Sequence, residues 1–275
     1  MVPDGSRRLN RSTLAALAVV AMLVLAGCGG TGGTPTADLD VTETEVIENA
    51  RAAMDGVSAY SIAGELNITQ GTNNVTQSFE ADIEGDVDLA NEEAYFRQTL
   101  SIGPQSVPVE VYLADGTLYQ RSQLLVQQFN SEWIRIDVSE NLTRQFRSQD
   151  ELGAHLTMLG NGTVTLEGRE EVNGTEAYRL AVDANETALG EFYQLTGDQS
   201  ASIRNASATV WVDAETSRIV RVDGHIERRT TLQGQSATTA VDYSERFSYG
   251  SVDISLPSAA SSAVEINGSG LLAGA

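Results

Sequence analysis

From Ser78 to Leu89 the chain changes polarity at every step. Phe79, Ala81, Ile83, Val87 and Leu89 alternate with Ser78, Glu80, Asp82, Glu84, Asp86 and Asp88. Successive side chains of a strand point to opposite faces, so this segment as a strand puts every acid on one face. Such a strand belongs to a sheet with one face buried and one in water. A parallel sheet covered on both faces would read as continuous Val/Ile runs instead. The same period recurs elsewhere. Tyr60, Ile62, Gly64, Leu66 and Ile68 alternate with Ser61, Ala63, Glu65, Asn67 and Thr69, and Val107, Val109, Val111 and Leu113 repeat the pattern, as do Ile134, Ile136 and Val138.

Turn chemistry divides these runs. Asp115-Gly116 and Asn173-Gly174 are hairpin centres that tolerate positive φ, the second lying between Glu167–Val172 and Thr175–Asp183. Asp213 to Ser217 joins Ala206–Val212 to Arg218–Ile226, and a last strand is expected from about Thr238 to Tyr249. Helices interrupt the strands in three places. Thr42-Glu43-Thr44-Glu45 has the form of a capping box, followed by Val46, Ile47, Ala50 and Met54 at helical spacing and a stop at Gly56. Ser148 to Glu151 reads as a second box, ahead of Leu152, Leu156 and Leu159 and a stop at Gly160, with a short turn expected near Leu142 and Phe146. Glu186 to Leu195 reads as a third helix.

A long sheet with one apolar face must bury that face, and three short helices do not cover it flat. The expected fold is therefore α+β: a strongly curved antiparallel sheet of about 11 strands, an open half-barrel with helices packed in its concave face. Where the helices leave a gap, an apolar pocket remains. Its expected lining is Ile62, Leu66, Phe79, Ile83, Val111 and Leu113 from the sheet, with Leu152 and Leu156 from the helix.

The N-terminus speaks to location. Arg7, Arg8 and Arg11 precede an apolar run of 14 residues, Leu14 to Gly27, too short to span a bilayer and of the length of a signal h-region. It ends in Leu25-Ala26-Gly27-Cys28, and Cys28 is the only cysteine. The expectation is a signal peptide over 1–27, a lipidated Cys28, a flexible tether over 28–41, a half-barrel domain over 42–257 and a low-complexity tail over 258–275. The protein is then exported and held on the outer face of the cell membrane through Cys28. Ser6-Arg7-Arg8 is similar to the start of a twin-arginine signal, while Leu9 and Asn10 fit it poorly, so both export routes stay open.

Charge limits the partners. The sequence has 38 acids against 17 bases, all arginine, and removal of residues 1–27 takes the net charge from −21 to −23. Such a chain repels nucleic acid and anionic headgroups at ordinary ionic strength. Its lysine-free, acid-rich composition resembles that of proteins from extreme halophiles. Beyond residue 27, eight Asn-x-Ser/Thr sequons are present, where about two are expected by chance. Asn67, Asn74, Asn141, Asn161, Asn173, Asn205 and Asn267 are the candidate glycosylation sites, and Asn185 reads as a helix cap.

No constellation of catalytic residues emerges. His155 and His225 are isolated from metal-ligand spacing, and paired-cysteine, phosphate-loop and Gly-x-Ser-x-Gly motifs are absent. Asp86-Val87-Asp88 begins like a calcium loop, but Leu89 and Ala90 break it. Trp133 and Trp211 suit either a pocket mouth or plain sheet packing, and Arg228-Arg229 suits an anionic headgroup or neighbouring acids. The expectation is no enzyme, no cofactor and no metal.

Four stretches carry a family likeness. "VEVYLADGTLYQRS" (Val109 to Ser122) is followed by "EWIRIDV" (Glu132 to Val138), with "VNGTEAYRLAVD" (Val172 to Asp183) and "VWVDAETSRIVRVD" (Val210 to Asp223) further on. Together with the element order, over roughly residues 42 to 255, they resemble the superfamily of the lipoprotein carriers LolA and LolB and the mycobacterial lipid-binding lipoproteins LppX and LprG, in the form of haloarchaeal lipoproteins of this shape. The resemblance implies a half-barrel that binds acyl chains, glycolipids or other apolar molecules, and no catalysis. It does not imply delivery to an outer membrane, which an archaeal cell of the usual kind lacks. The expected activity is binding or carrying a lipid-like ligand. The alternative is a glycosylated, non-catalytic envelope protein with a filled core and an envelope partner.

Overall fold

The structure is a computed structural model that describes residues 39–72, 75–102, 105–141, 146, 150–184, 201–232 and 235–266. The expected signal peptide, Cys28, most of the expected tether, Asn74, Asn185, Asn267 and the helix expected at 186–195 lie outside the described residues. The body comprises α1 (Glu43–Asp55), β1 (Ala59–Thr72), β2 (Val75–Asp88), β3 (Glu93–Ile102), β4 (Gln105–Ala114), β5 (Thr117–Ser122), α2 (Leu125–Phe129) and β6 (Trp133–Asp137) in its first half. The second half has α3 (Glu151–Asn161), β7 (Thr163–Val172), β8 (Thr175–Asp183), β9 (Ala201–Asp213), β10 (Ile219–Leu232), β11 (Gln235–Tyr249) and β12 (Val264–Glu265). Among the described residues no helix is long and apolar enough to cross a membrane.

Among the described residues, 12 strands form one curved, unclosed sheet in the order β12-β6-β5-β4-β3-β2-β1-β11-β10-β9-β8-β7. Two antiparallel meanders, β1–β6 and β7–β11, meet where β1 pairs with β11. Only β12 is parallel to its neighbour, β6. Asp115 and Gly116, and Asn173 and Gly174, all take positive φ at the two hairpin turns, as the dipeptides dictate.

Thr42 caps α1 in a complete capping box with Glu45, and Gly56 closes the helix. The second box is corrected: Asp150, not Ser148, caps α3 by accepting from the Gly153 N–H, and the helix runs on to Asn161. Ser148 lies outside the described residues; with Asp150 as the cap, the helix starts two residues later than a Ser148 cap would set it. α2 was not expected at all. It is five residues long, closed by Asn130 in the left-handed region, and too short for a periodic signal.

The main core lies between the apolar sheet face and the helices. Val46, Ala50 and Met54 of α1 and Leu152, Met158 and Leu159 of α3 pack there with Tyr60, Ile62, Val87, Leu113, Leu180, Val210, Val222 and Phe247, and Phe146 joins them. Two small clusters sit on the other face. Trp133 packs with Tyr112 and Ala260, and Trp211 with Val172 and Ala177, so both tryptophans are sheet packing. Residues 258–262, placed by the sequence in a tail, form a 3-10 turn that seats Ala260 on Trp133, and Val264 and Glu265 then pair with Ile134 and Arg135.

Candidate functional site

Strand register makes the apolar face a grid. One row runs Ile83, Gly64, Glu245, Val222, Val210, Leu180 across β2, β1, β11, β10, β9 and β8. The next runs Ala81, Leu66, Tyr243, Gly224, Ala208, Val182. The six expected pocket residues on strands share this face, with Leu152 and Leu156 of α3 packed against it, but their surroundings differ. Ile62, Leu113 and Leu152 are closed into the core. Leu66 and Leu156 are partly buried against it. Phe79, Ile83 and Val111 are partly exposed, as are Ile68, Leu100, Val107 and Val109 beside them.

In the middle of this apolar grid stands Glu245, 6% exposed. Gly64 is its cross-strand partner, and a Cβ there would lie 3.1 Å from the glutamate Cγ and 2.7 Å from the Ser244 carbonyl oxygen. Glycine at that point is what lets the carboxylate lie across the strand. His155 of α3, wholly buried, holds Glu245 Oε2 at 2.5 Å through Nε2. The Tyr243 ring stacks on the imidazole with centroids 6.0 Å apart, and Phe247 meets it edge-on at 5.8 Å. Glu151 starts the same helix. Burial, then the neighbouring Glu245 charge, push its carboxyl up to about 7. One ligand atom each from Glu151, His155 and Glu245 lies within 4.8 Å of the others. Tyr60 donates to Asp150 Oδ1 at 3.1 Å, tying the helix start to β1. Burial raises both the Tyr60 and Tyr243 phenols well above their ordinary range.

Sequence reading set His155 aside as a lone histidine and did not single out Glu245. The available signal was in β11: Val241, Tyr243, Phe247 and Tyr249 form an apolar stripe in which Glu245 is the one acid.

A groove of about 1080 Å³ opens on the polar side of the sheet. Glu65, Asp82 and Asp223 in one row, and Asn67, Glu80, Asp242, His225 and Asp183 in another, border it. His225 pairs with Asp242 at 2.7 Å. Of the eight expected pocket residues, Leu66 alone borders this groove. Among the candidate sequons, Asn67 and Asn205 border it too, while Asn173 is exposed at the β7–β8 turn and Asn161 at the end of α3.

These features define an α+β protein built on one unclosed, mainly antiparallel sheet, with helices on the apolar face and a buried carboxylate–histidine group beneath them. The chain belongs to the family of unknown function DUF7537, whose model matches residues 13–259. No curated protein matches its sequence. Among solved structures it is similar to the lipoprotein LppX of Mycobacterium tuberculosis, at 16% identity and a TM-score of 0.42, over 78% of this chain and 98% of that one. LprF of Mycobacterium bovis aligns at 14% identity and a TM-score of 0.45, over 79% and 96%. A putative outer membrane lipoprotein-sorting protein domain from Vibrio parahaemolyticus aligns at 10% identity and a TM-score of 0.30, over 77% and 96%.

Proposed function

We propose that the protein is an extracytoplasmic lipoprotein, anchored through Cys28, that binds or carries a lipid-like ligand on the apolar face of its sheet and catalyses no reaction. The observation that carries this reading is the uneven cover of that face. Tyr60, Ile62, Val87 and Leu113 are sealed, while Phe79, Ile83, Val109 and Val111 on the same face are partly exposed. On β2 and β4, which carry these exposed residues, the acids Glu80, Asp82, Glu84 and Glu110 alternate onto the opposite face. Burying one methylene is worth about 0.8 kcal/mol, and ten methylenes of an acyl or isoprenoid chain give about 8 kcal/mol before ordering costs. The short apolar segment ending in Leu-Ala-Gly-Cys supports the anchor, and the excess of sequons supports a glycosylated surface.

The test is native mass spectrometry of the protein expressed in its own host and purified without detergent. A discrete extra mass, extractable into organic solvent and identified as a lipid or isoprenoid, is the expected result. Protein carrying glycan mass alone, with no uptake of added lipids, overturns the carrier reading in favour of an envelope protein with a filled core. Cys28→Ser is expected to move the protein from the membrane to the soluble fraction, and persistence on the membrane refutes the anchor.

A further inference from the structure

We infer that Glu151, His155 and Glu245 form a binding site for one divalent transition-metal ion, of the Zn²⁺ type, between α3 and β11. Glu151 and His155 stand four residues apart and so share a helix face. Glu245 faces them from the strand, with one ligand atom of each residue within 4.8 Å of the others. Zinc takes nitrogen and oxygen ligands at about 2.0–2.2 Å, which in a tetrahedron sets ligand atoms about 3.3 Å apart. The 2.5 Å His155–Glu245 contact needs only a small opening, and Glu151 a small approach, to reach that spacing.

The charge balance is the independent argument. Among the described residues, the charged groups that act on Glu151 are Glu245, His155 and Asp150. Asp150 is satisfied by the Gly153 N–H and the Tyr60 hydroxyl. Two carboxyl groups then face one imidazole beside aromatic rings, and keeping both ionised there without a cation is costly. A dication supplies the missing charge.

The donor set narrows the ion. Calcium and magnesium favour sites built from oxygen ligands alone, whereas an imidazole with two carboxylates suits zinc and its neighbours and leaves a coordination position for water. Glu151 is the one ligand of the three that is partly exposed, which gives the ion an entry path. A bound ion fastens α3 to a strand 90 residues away in sequence, beside the boundary between the sealed and the exposed parts of the apolar face.

The experiment uses the full-length protein stripped with chelator and held in concentrated KCl, which suppresses loose binding to surface acids. Co²⁺ is titrated as a spectroscopic probe, and Zn²⁺ is then added to displace it. One Co²⁺ per chain with the intense visible absorption of a four-coordinate site is expected, together with a Tm rise of about 5–10 °C at a hundred-fold excess over Kd. Glu151→Gln, a near-isosteric change at the partly exposed ligand, is expected to weaken binding about ten-fold or more and to lose the Tm rise. Glu245→Gln is expected to do the same. Absence of stoichiometric Co²⁺ uptake by the unaltered protein overturns the inference, and so does equal uptake by Glu151→Gln, which would place the metal on surface carboxylates.

Discussion

The apolar row from Ile83 to Leu180 permits a direct test of which part of the sheet face is core and which is ligand surface. Leu180 is fully buried at one end, and Ile83 is partly exposed five strands away at the other. Truncating a buried leucine to alanine costs about 2.7–5.0 kcal/mol, the transfer loss plus the cavity left behind. For a body of this size each kcal/mol moves Tm by about 2–4 °C, so Leu180→Ala should lower Tm by about 5–20 °C. Ile83→Ala leaves a surface dent rather than a closed cavity, and its stability cost should stay below about 1.5 kcal/mol. Its effect belongs in binding. Three carbon atoms are lost from the contact, and with incomplete burial that is about 1–2 kcal/mol, or about five- to thirty-fold in Kd. Urea denaturation measures the first quantity and displacement of a fluorescent fatty acid the second. Equal destabilisation by the two variants, with unchanged probe affinity in Ile83→Ala, would refute the division of the face and leave the proposed ligand surface without support.

Three further outcomes follow from the packing. A Cβ at Gly224 would fall 2.1–2.4 Å from the Tyr243 ring. Gly224→Ala should therefore destabilise by about 1–3 kcal/mol, and urea denaturation of a cycle with Tyr243→Leu should show strong non-additivity. Burial first, then the neighbouring Tyr95 and Glu110, push the Tyr112 phenol up to about 12. The unfolded phenol ionises near 10, so this group's stability contribution is intact below about pH 10 and is lost as pH rises towards about 12. A titration of phenolate absorbance should show a step near 12, and Tyr112→Phe should reduce its amplitude by one phenol, leaving the later ionisation of Tyr60 and Tyr243 in place. Ending the chain after Pro257 removes Ala260 from Trp133; tryptophan emission should shift to the red, and the late phenol step should move down towards 10.

The strands were legible because each exposes one face, which prints period two directly into the sequence. The two hairpins were legible because Asp-Gly and Asn-Gly satisfy a backbone demand local to the turn. The first helix announced itself through reciprocal Thr42–Glu45 bonds, again a local event. What escaped was non-local. His155 looks isolated because its partner lies 90 positions away, and Glu245 looks like one acid among many until register shows it on the apolar face. The Ala260 contact escaped because a small residue among serines carries no periodic signal, although the Tyr112–Trp133 surface it covers needs a cover. Ser148 misled because a box pattern ranks residue types and does not see that Tyr60 lies ready to donate to Asp150.

Helix supply explains why the apolar face is divided. At 1.5 Å per residue, the 13 residues of α1 reach about 20 Å and the 11 of α3 about 16 Å. β1, β2 and β10 each have 14 residues, about 46 Å of strand at 3.3 Å per residue. Two helices side by side, each about 10 Å wide, span about four strands at 4.8 Å spacing, in a sheet of 12. The described helices thus fall short of the sheet in both directions. Exposure at Phe79 and Ile83 along the strands, and at Val109 and Val111 across them, follows from that shortfall. Shortening the strands would have removed the surplus. Four neighbouring strands at the centre of the sheet instead run to 14 or 15 residues; their apolar side chains continue as far as the row Phe79, Ile68, Val241 and Ile226 before Gln77, Gln70, Thr239 and Arg228 follow, and those last apolar rows are what the proposed ligand surface rests on.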